Sequence, residues 1–147
     1  MPTPPADRSP SAPPPGVAVF RHPTRVYWED TDAGGVVFYA NYLKFFERAR
    51  TEWLRHLGLG QQQLRADTGA IFIVTDTSVR YRAPAQLDDL LEISVELRRH
   101  GTASMTIFQQ ARRGDTLLAE GEIRIGCVDD ASFKPRRIPD QVMATLR

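Results

Sequence analysis

A chain of 147 residues, 41% hydrophobic and 25% charged, carries enough apolar material for one domain built on a single core. Its formal net charge of +1, from 19 basic and 18 acidic residues, gives no electrostatic case for nucleic acid as a partner. No window holds the roughly 18 consecutive apolar residues of a membrane span, and Cys127, the only cysteine, excludes an internal disulfide and a thiolate metal cluster.

The opening stretch MPTPPADRSPSAPPPG holds seven of the eleven prolines and lacks the apolar segment of a secretory signal, which reads as a cytoplasmic chain. It has too little apolar surface to offset the entropy of ordering. Residues 1–16 are therefore predicted to be a disordered arm, either solvated or offered as a proline-rich ligand, with one folded domain over 17–147.

Thr24 to Trp28, with Val26 and Tyr27, reads as a first strand. The stretch EDTDAGG follows, and then a helix is predicted from Tyr39 or Ala40 to Leu57, stopped by Gly58. Tyr42, Phe45, Phe46, Ala49, Trp53 and Leu57 recur at three- and four-residue steps and share one face, widened by Leu43 and Leu54, with Lys44, Arg48, Thr51 and Arg55 opposite. Arg50 sits at the margin of that face, placed either to pair with an acid of the loop or to snorkel past the sheet edge.

Strands follow. Ile71 to Tyr81 opens as an apolar run and then alternates; Leu91, Ile93, Val95 and Leu97 alternate cleanly with polar residues. Ala103, Met105 and Ile107 continue the pattern, and Leu117, Ala119, Gly121, Ile123, Ile125 and Cys127 repeat it. This period marks antiparallel strands with one buried face, separated by turns at APAQLDD, RHGT and RRGD. A short tail helix carries Val142, Met143 and Leu146. One long apolar helix and about five strands imply an α+β fold in which a curved antiparallel sheet packs around the helix. The two edges of such a sheet favour a symmetric dimer or a dimer of dimers.

The acids of EDTDAGG admit several readings. Helix first turns hold unpaired N–H groups at the positive end of the dipole, and Gly34 and Gly35 let an incoming group reach them. Asp32 then stands where a nucleophile or general base would face a polarised carbonyl, an arrangement suited to attack on a thioester. Asp30 and Asp32 also suit a plain turn before a helix. A calcium loop is discounted, since no Glu stands at its twelfth position. His22, His56 and His100 share no metal spacing, and no serine sits in a G-x-S-x-G elbow.

RVYWEDTDAGGVVFYANYLKFFERARTEWLRHLG resembles the signature of hotdog-fold acyl-CoA thioesterases, 4-hydroxybenzoyl-CoA thioesterase-like and most similar to the bacterial branch associated with the Tol–Pal envelope system. The resemblance continues through YRAPAQLDDLLEI, Gly101 to Ser104 and CVDDASFKPRRIP. It implies a long central helix wrapped by a five-stranded antiparallel sheet, and acyl-CoA hydrolysis needing neither metal nor redox cofactor. It further implies a homodimer or homotetramer, with acyl carrier protein or envelope proteins at the inner face of the inner membrane as further partners. On this resemblance Asp32 is the catalytic acid and the Tyr39 N–H polarises the thioester carbonyl. Many members of the Tol–Pal branch hold histidine where this chain has Tyr39, so an imidazole role is lost and the backbone donor kept. The family's phosphate-binding basic residues fall on Gly101, Thr102 and Ala103. Arg98 and Arg99, with Arg136 and Arg137, are offered in their place, against the plainer reading of solvated surface arginines. Some relatives use a glutamate on the helix, but Glu47 and Glu52 are expected to pair locally with Arg50 and Arg48. Two rivals stand beside hydrolysis: a hotdog dehydratase, which needs a pocket histidine, and a weakly catalytic envelope scaffold.

Overall fold

The computed structural model describes residues 18–146, so the proline-rich arm and the domain boundary at 17 lie outside the described residues. Strand β1 (Phe20–Arg25) leads through a 3-10 turn to helix α1 (Asn41–His56) and helix α2 (Gln61–Thr68). Strands β2 (Ala70–Tyr81), β3 (Leu90–His100), β4 (Ser104–Arg113) and β5 (Thr116–Asp129) follow, and helix α3 (Asp140–Leu146) is the last of the described elements. The five strands form one antiparallel sheet in the order β1-β3-β4-β5-β2. This is the α+β hotdog layout expected, with α1 against one face of the sheet.

The core forms where the two periodicities meet. Tyr42, Phe45, Phe46, Ala49, Trp53 and Leu54 of α1 are buried, as are Leu91, Ile93, Val95, Met105, Ile107, Ile123, Ile125 and Cys127 of the strands. Phe45 and Phe46 are fully enclosed, each contributing about 1.5–3 kcal/mol by burial. Leu43 departs from its expected place. It is 42% exposed, outside the buried stripe of α1.

Three further differences have local causes. The first strand lies at Phe20–Arg25 rather than Thr24–Trp28, because Trp28–Asp30 wind into the 3-10 turn, closed by Asp30 N–H donating to Tyr27 O. Pro23 sits within β1, tolerated because the strand is an edge. On β5, Leu118 is fully buried where Leu117 was expected, since the register slips between Ala111 and Arg112 and leaves Leu118 as the extra residue. Helix α2 has only one buried residue, Leu64, too few to give a helical period; Gly69 ends it in the left-handed region at φ 76°.

The other sheet edge is β2, whose residues from Ile73 to Ser78 are exposed. Its pairing with β5 depends on Gly121, where a Cβ would lie 2.5 Å from the Ser78 carbonyl oxygen. No helix among the described residues is long and apolar enough to cross a membrane.

Candidate active site

The segment between β1 and α1 is a small hairpin. Thr31 bridges Val37, Asp32 N–H donates to Val36 O at 2.9 Å, and Gly35 N–H donates back to Asp32 O at 3.0 Å. Gly35 takes φ 80°, which the turn requires. The Gly34 N–H donates to Asp32 Oδ1 at 2.8 Å. The glycines thus shape the turn, and Gly34 serves the carboxylate directly. Asp32 is exposed, and its Oδ2 has no donor among the described residues.

Asp30 behaves differently. It is 7% exposed, accepts the Tyr27 N–H at 2.8 Å, and its carbonyl takes the Phe38 N–H and the Asn41 amide. It anchors the loop. Val37 N–H donates to Ala85 O, and Val26 N–H to Asp89 O, so the whole loop is tied to the segment just ahead of β3. Burial alone would raise the Asp89 carboxyl, but the Gln86 N–H and the Arg113 guanidinium, each at 2.8 Å, outweigh it and hold the group below the usual aspartate range.

At the start of α1, Asn41, Tyr42 and Leu43 N–H groups bend back to Phe38, Tyr39 and Ala40 carbonyls. The Tyr39 N–H has no acceptor among the described residues. It is a free donor at the positive end of the helix. The Tyr39 carbonyl is held by the Tyr81 hydroxyl at 3.0 Å, and the two rings meet edge to face at 6.0 Å. Burial pushes the Tyr81 phenol up, with Tyr39 adding to the effect, so the group stays protonated and donates. Val37, Tyr39, Tyr42, Tyr81, Ala83 and Pro84 line an open groove of about 290 Å³ here. Tyr81 was not singled out from sequence; the only signal was its place at the head of the YRAPAQLDD stretch.

Arg98 and Arg99 are not part of this site within one chain. Nine strand steps separate Leu90, beside the acid loop, from Arg99, roughly 30 Å at about 3.3 Å per residue. Arg98 is also engaged: its guanidinium pairs with the buried Glu96 and lies 4.2 Å above the Phe108 ring. Arg99 lines a surface depression with His100 and Arg124. Arg136 donates to Thr68 O at 2.6 Å and so holds the end of α2. None of the three histidines reaches the acid loop: His22 lies on β1, His56 stacks against Phe20, and His100 ends β3.

The helix charges also differ from expectation. Glu52 pairs with Arg55, one turn along, rather than with Arg48. Arg50 finds neither a loop acid nor Glu47 but a neutral partner from the sheet, donating to Gln109 Oε1 at 2.9 Å. Gln109 is fully buried and passes its own N–H groups to Phe46 O and Ser94 O. Burial pulls the Arg50 guanidinium below the usual arginine range, with Glu47 opposing.

A five-stranded antiparallel sheet packed on one long helix is the hotdog layout that solved thioesterase structures share. Residues 26–146 match the model of the thioesterase-like superfamily, and the chain belongs to that family. It is 47% identical over 130 residues to the acyl-CoA thioester hydrolase YbgC of Escherichia coli O6:H1, covering 88% of this chain and 96% of that protein. It is 42% identical over 127 residues to the acyl-CoA thioesterase YbgC of Haemophilus influenzae, covering 86% and 93%. Among solved structures, a probable thioesterase from Bartonella henselae superposes with a TM-score of 0.78 at 35% identity, over 83% of this chain and all of that one.

Proposed function

We infer that the protein hydrolyses acyl-CoA thioesters to the free acid and CoA, with Asp32 as the reactive acid. The observation that carries this reading is the Tyr39 N–H, unpartnered at the head of α1 beside a loop that presents an exposed carboxylate with one oxygen free. The thioester oxygen rests on that N–H, which stabilises the charge that develops as the carbon becomes tetrahedral. Asp32 attacks the carbon directly, or takes a proton from a water that does. In the direct route the C–S bond breaks, CoA leaves as a thiolate and is protonated, and water then cleaves the acyl–Asp32 anhydride. The names of the YbgC relatives support the same substrate class.

Two copies pair along β2. The edge is long, with a bulge only between Val74 and Asp76, and Phe38, Tyr39 and Leu43 around the head of α1 and Ile73, Val74 and Tyr81 of β2 are exposed apolar side chains. A two-fold axis there reverses the second copy, so its β3–β4 end comes to the first copy's acid loop. Arg99, with Arg124 and His100, then supplies the positive surface for the nucleotide phosphates from the partner subunit.

Thiol release across acyl-CoA substrates tests this. Asp32→Asn is expected to lower kcat by at least ~10²-fold while leaving fold and assembly intact; near-normal turnover by the folded variant overturns the assignment. A second reading, an envelope or carrier-protein scaffold, draws on Trp28, 80% exposed beside the acid loop. Retention of acyl carrier protein with poor turnover of every thioester would favour it.

A further inference from the structure

We propose that a second cavity, beside Arg50, receives the far end of the acyl group, and that Arg50 selects acyl groups carrying an oxygen there, as carboxylate or hydroxyl. The inference deepens the hydrolase reading above and rests on the pairing of two copies along β2.

The cavity holds about 120 Å³ and opens between α1 and the β2 edge at Glu47, Thr51, Ile73 and Val74. A single water takes roughly 10–15 Å³ on this measure, so there is room for a short acyl segment. The sheet side of the wall is apolar, formed by Met105, Ile107 and Ile125. Across from it, on the α1 side, stands Arg50, a residue only 8% exposed. The only hydrogen bond of its guanidinium among the described residues is Nη1 to Gln109, and no carboxylate lies within 4.0 Å. The remaining guanidinium nitrogens have no protein acceptor among the described residues and are not sealed from solvent, so they can meet a group that enters the cavity. A neutral side chain would tie α1 to Gln109 or pack there at less cost. A guanidinium on a cavity whose sheet side is apolar and whose rim carries Glu47, Thr51 and Gln61 fits a planar oxygen acceptor.

Position supplies the second argument. Within one chain Glu47, the cavity residue nearest along the helix, is eight residues on from Tyr39, roughly 12 Å. The β2 mouth of the cavity is remote from Tyr39: Val74 and Tyr81, beside the helix start, are seven strand steps apart, roughly 23 Å. Antiparallel pairing of β2 with its own copy reverses that separation. The Val74 end of one subunit then lies opposite the Tyr81 end of the other, and the cavity of each chain serves the Asp32 of its partner.

The test compares kcat/KM of the full chain on three six-carbon substrates: hexanoyl-CoA, 6-hydroxyhexanoyl-CoA and adipyl-CoA. An oxygen-bearing substrate is expected to lead hexanoyl-CoA by roughly 10–100-fold, and the leader shows whether carboxylate or hydroxyl is the preferred ligand. Arg50→Met brings that ratio to about 1, while Arg50→Lys retains part of a carboxylate preference. Because Arg50→Met strands the Gln109 carbonyl, the double variant Arg50→Met/Gln109→Leu repeats the measurement with both polar partners removed. A flat or reversed ratio in the wild type overturns the proposal, as does a preference that persists in either folded Met variant. Failure of the hydrolase reading looks different: no thioester is cleaved, or cleavage does not depend on Asp32. Failure of this inference leaves Asp32-dependent turnover with no response to the distal oxygen.

Discussion

Asp30 and Asp32 stand two positions apart on one loop and have opposite fates. The first is buried and spent on backbone N–H groups; the second keeps an oxygen open. Tyr81 extends the contrast to the donor side, since its hydroxyl fixes the peptide that follows Tyr39. Tyr81→Phe removes that one bond, worth about 0.5–1.5 kcal/mol, and should lower kcat about 2–10-fold with KM little changed. An equal fall in stability and in both kinetic constants would make Tyr81 structural instead of a positioning residue. Asp89 makes a prediction in pH. Its folded-state pKa is depressed, so its stabilisation is complete above the unfolded-state value and is lost as pH falls through the folded one. Asp89→Asn should therefore trail the wild type in urea melts near neutrality and match it in strong acid.

At the scale of elements, legibility followed burial. Strands β3, β4 and β5 have one face in the core, and their alternation placed the start of each within about a residue, though β4 runs on to Arg113, well past Ile107; α1 was legible from its aromatic stripe. What escaped had little apolar surface to show. Strand β1, FRHPTR, holds one large apolar residue, and α2, QQQLRADT, another. The shift from Leu117 to Leu118 was hidden because a bulge is a property of two strands together. Gly121 carries a prediction of its own. Its added Cβ would meet backbone at 2.5 Å rather than a yielding side chain, so Gly121→Ala must push β2 away from β5. A cost of about 1–3 kcal/mol is expected, read as a Tm lower by roughly 3–10 °C and earlier amide exchange along β2.

The whole molecule sets the limit on reading a site from sequence. Asp32 and Tyr39, the pair proposed to act on the thioester, can be read together because only seven residues of local chain join them. Arg98 and Arg99 were chosen by chain order, which does not say that β3 carries them to the far end of the sheet. Arg50 looked marginal by helical angle because its partner, Gln109, is 59 positions away. The reading of a shared site makes a prediction at this scale. A charge on β2 appears twice in a two-fold pair and meets its own copy, so Thr77→Lys should shift sedimentation from dimer to monomer and remove turnover together. A monomer with undiminished kcat would show that one chain suffices.

An enzyme that works on activated acyl groups exposes its own thiols to them, and an accessible cysteine would attack the thioester carbon, keep the acyl group as an S-acyl adduct and release CoA. Cys127 is 1% exposed beneath the Arg137 carbonyl, and burial pushes its thiol up. The native protein should accordingly register no titratable sulfhydryl toward an aromatic disulfide reagent, and one per chain once denatured. Self-acylation of the thiol is closed off by packing alone.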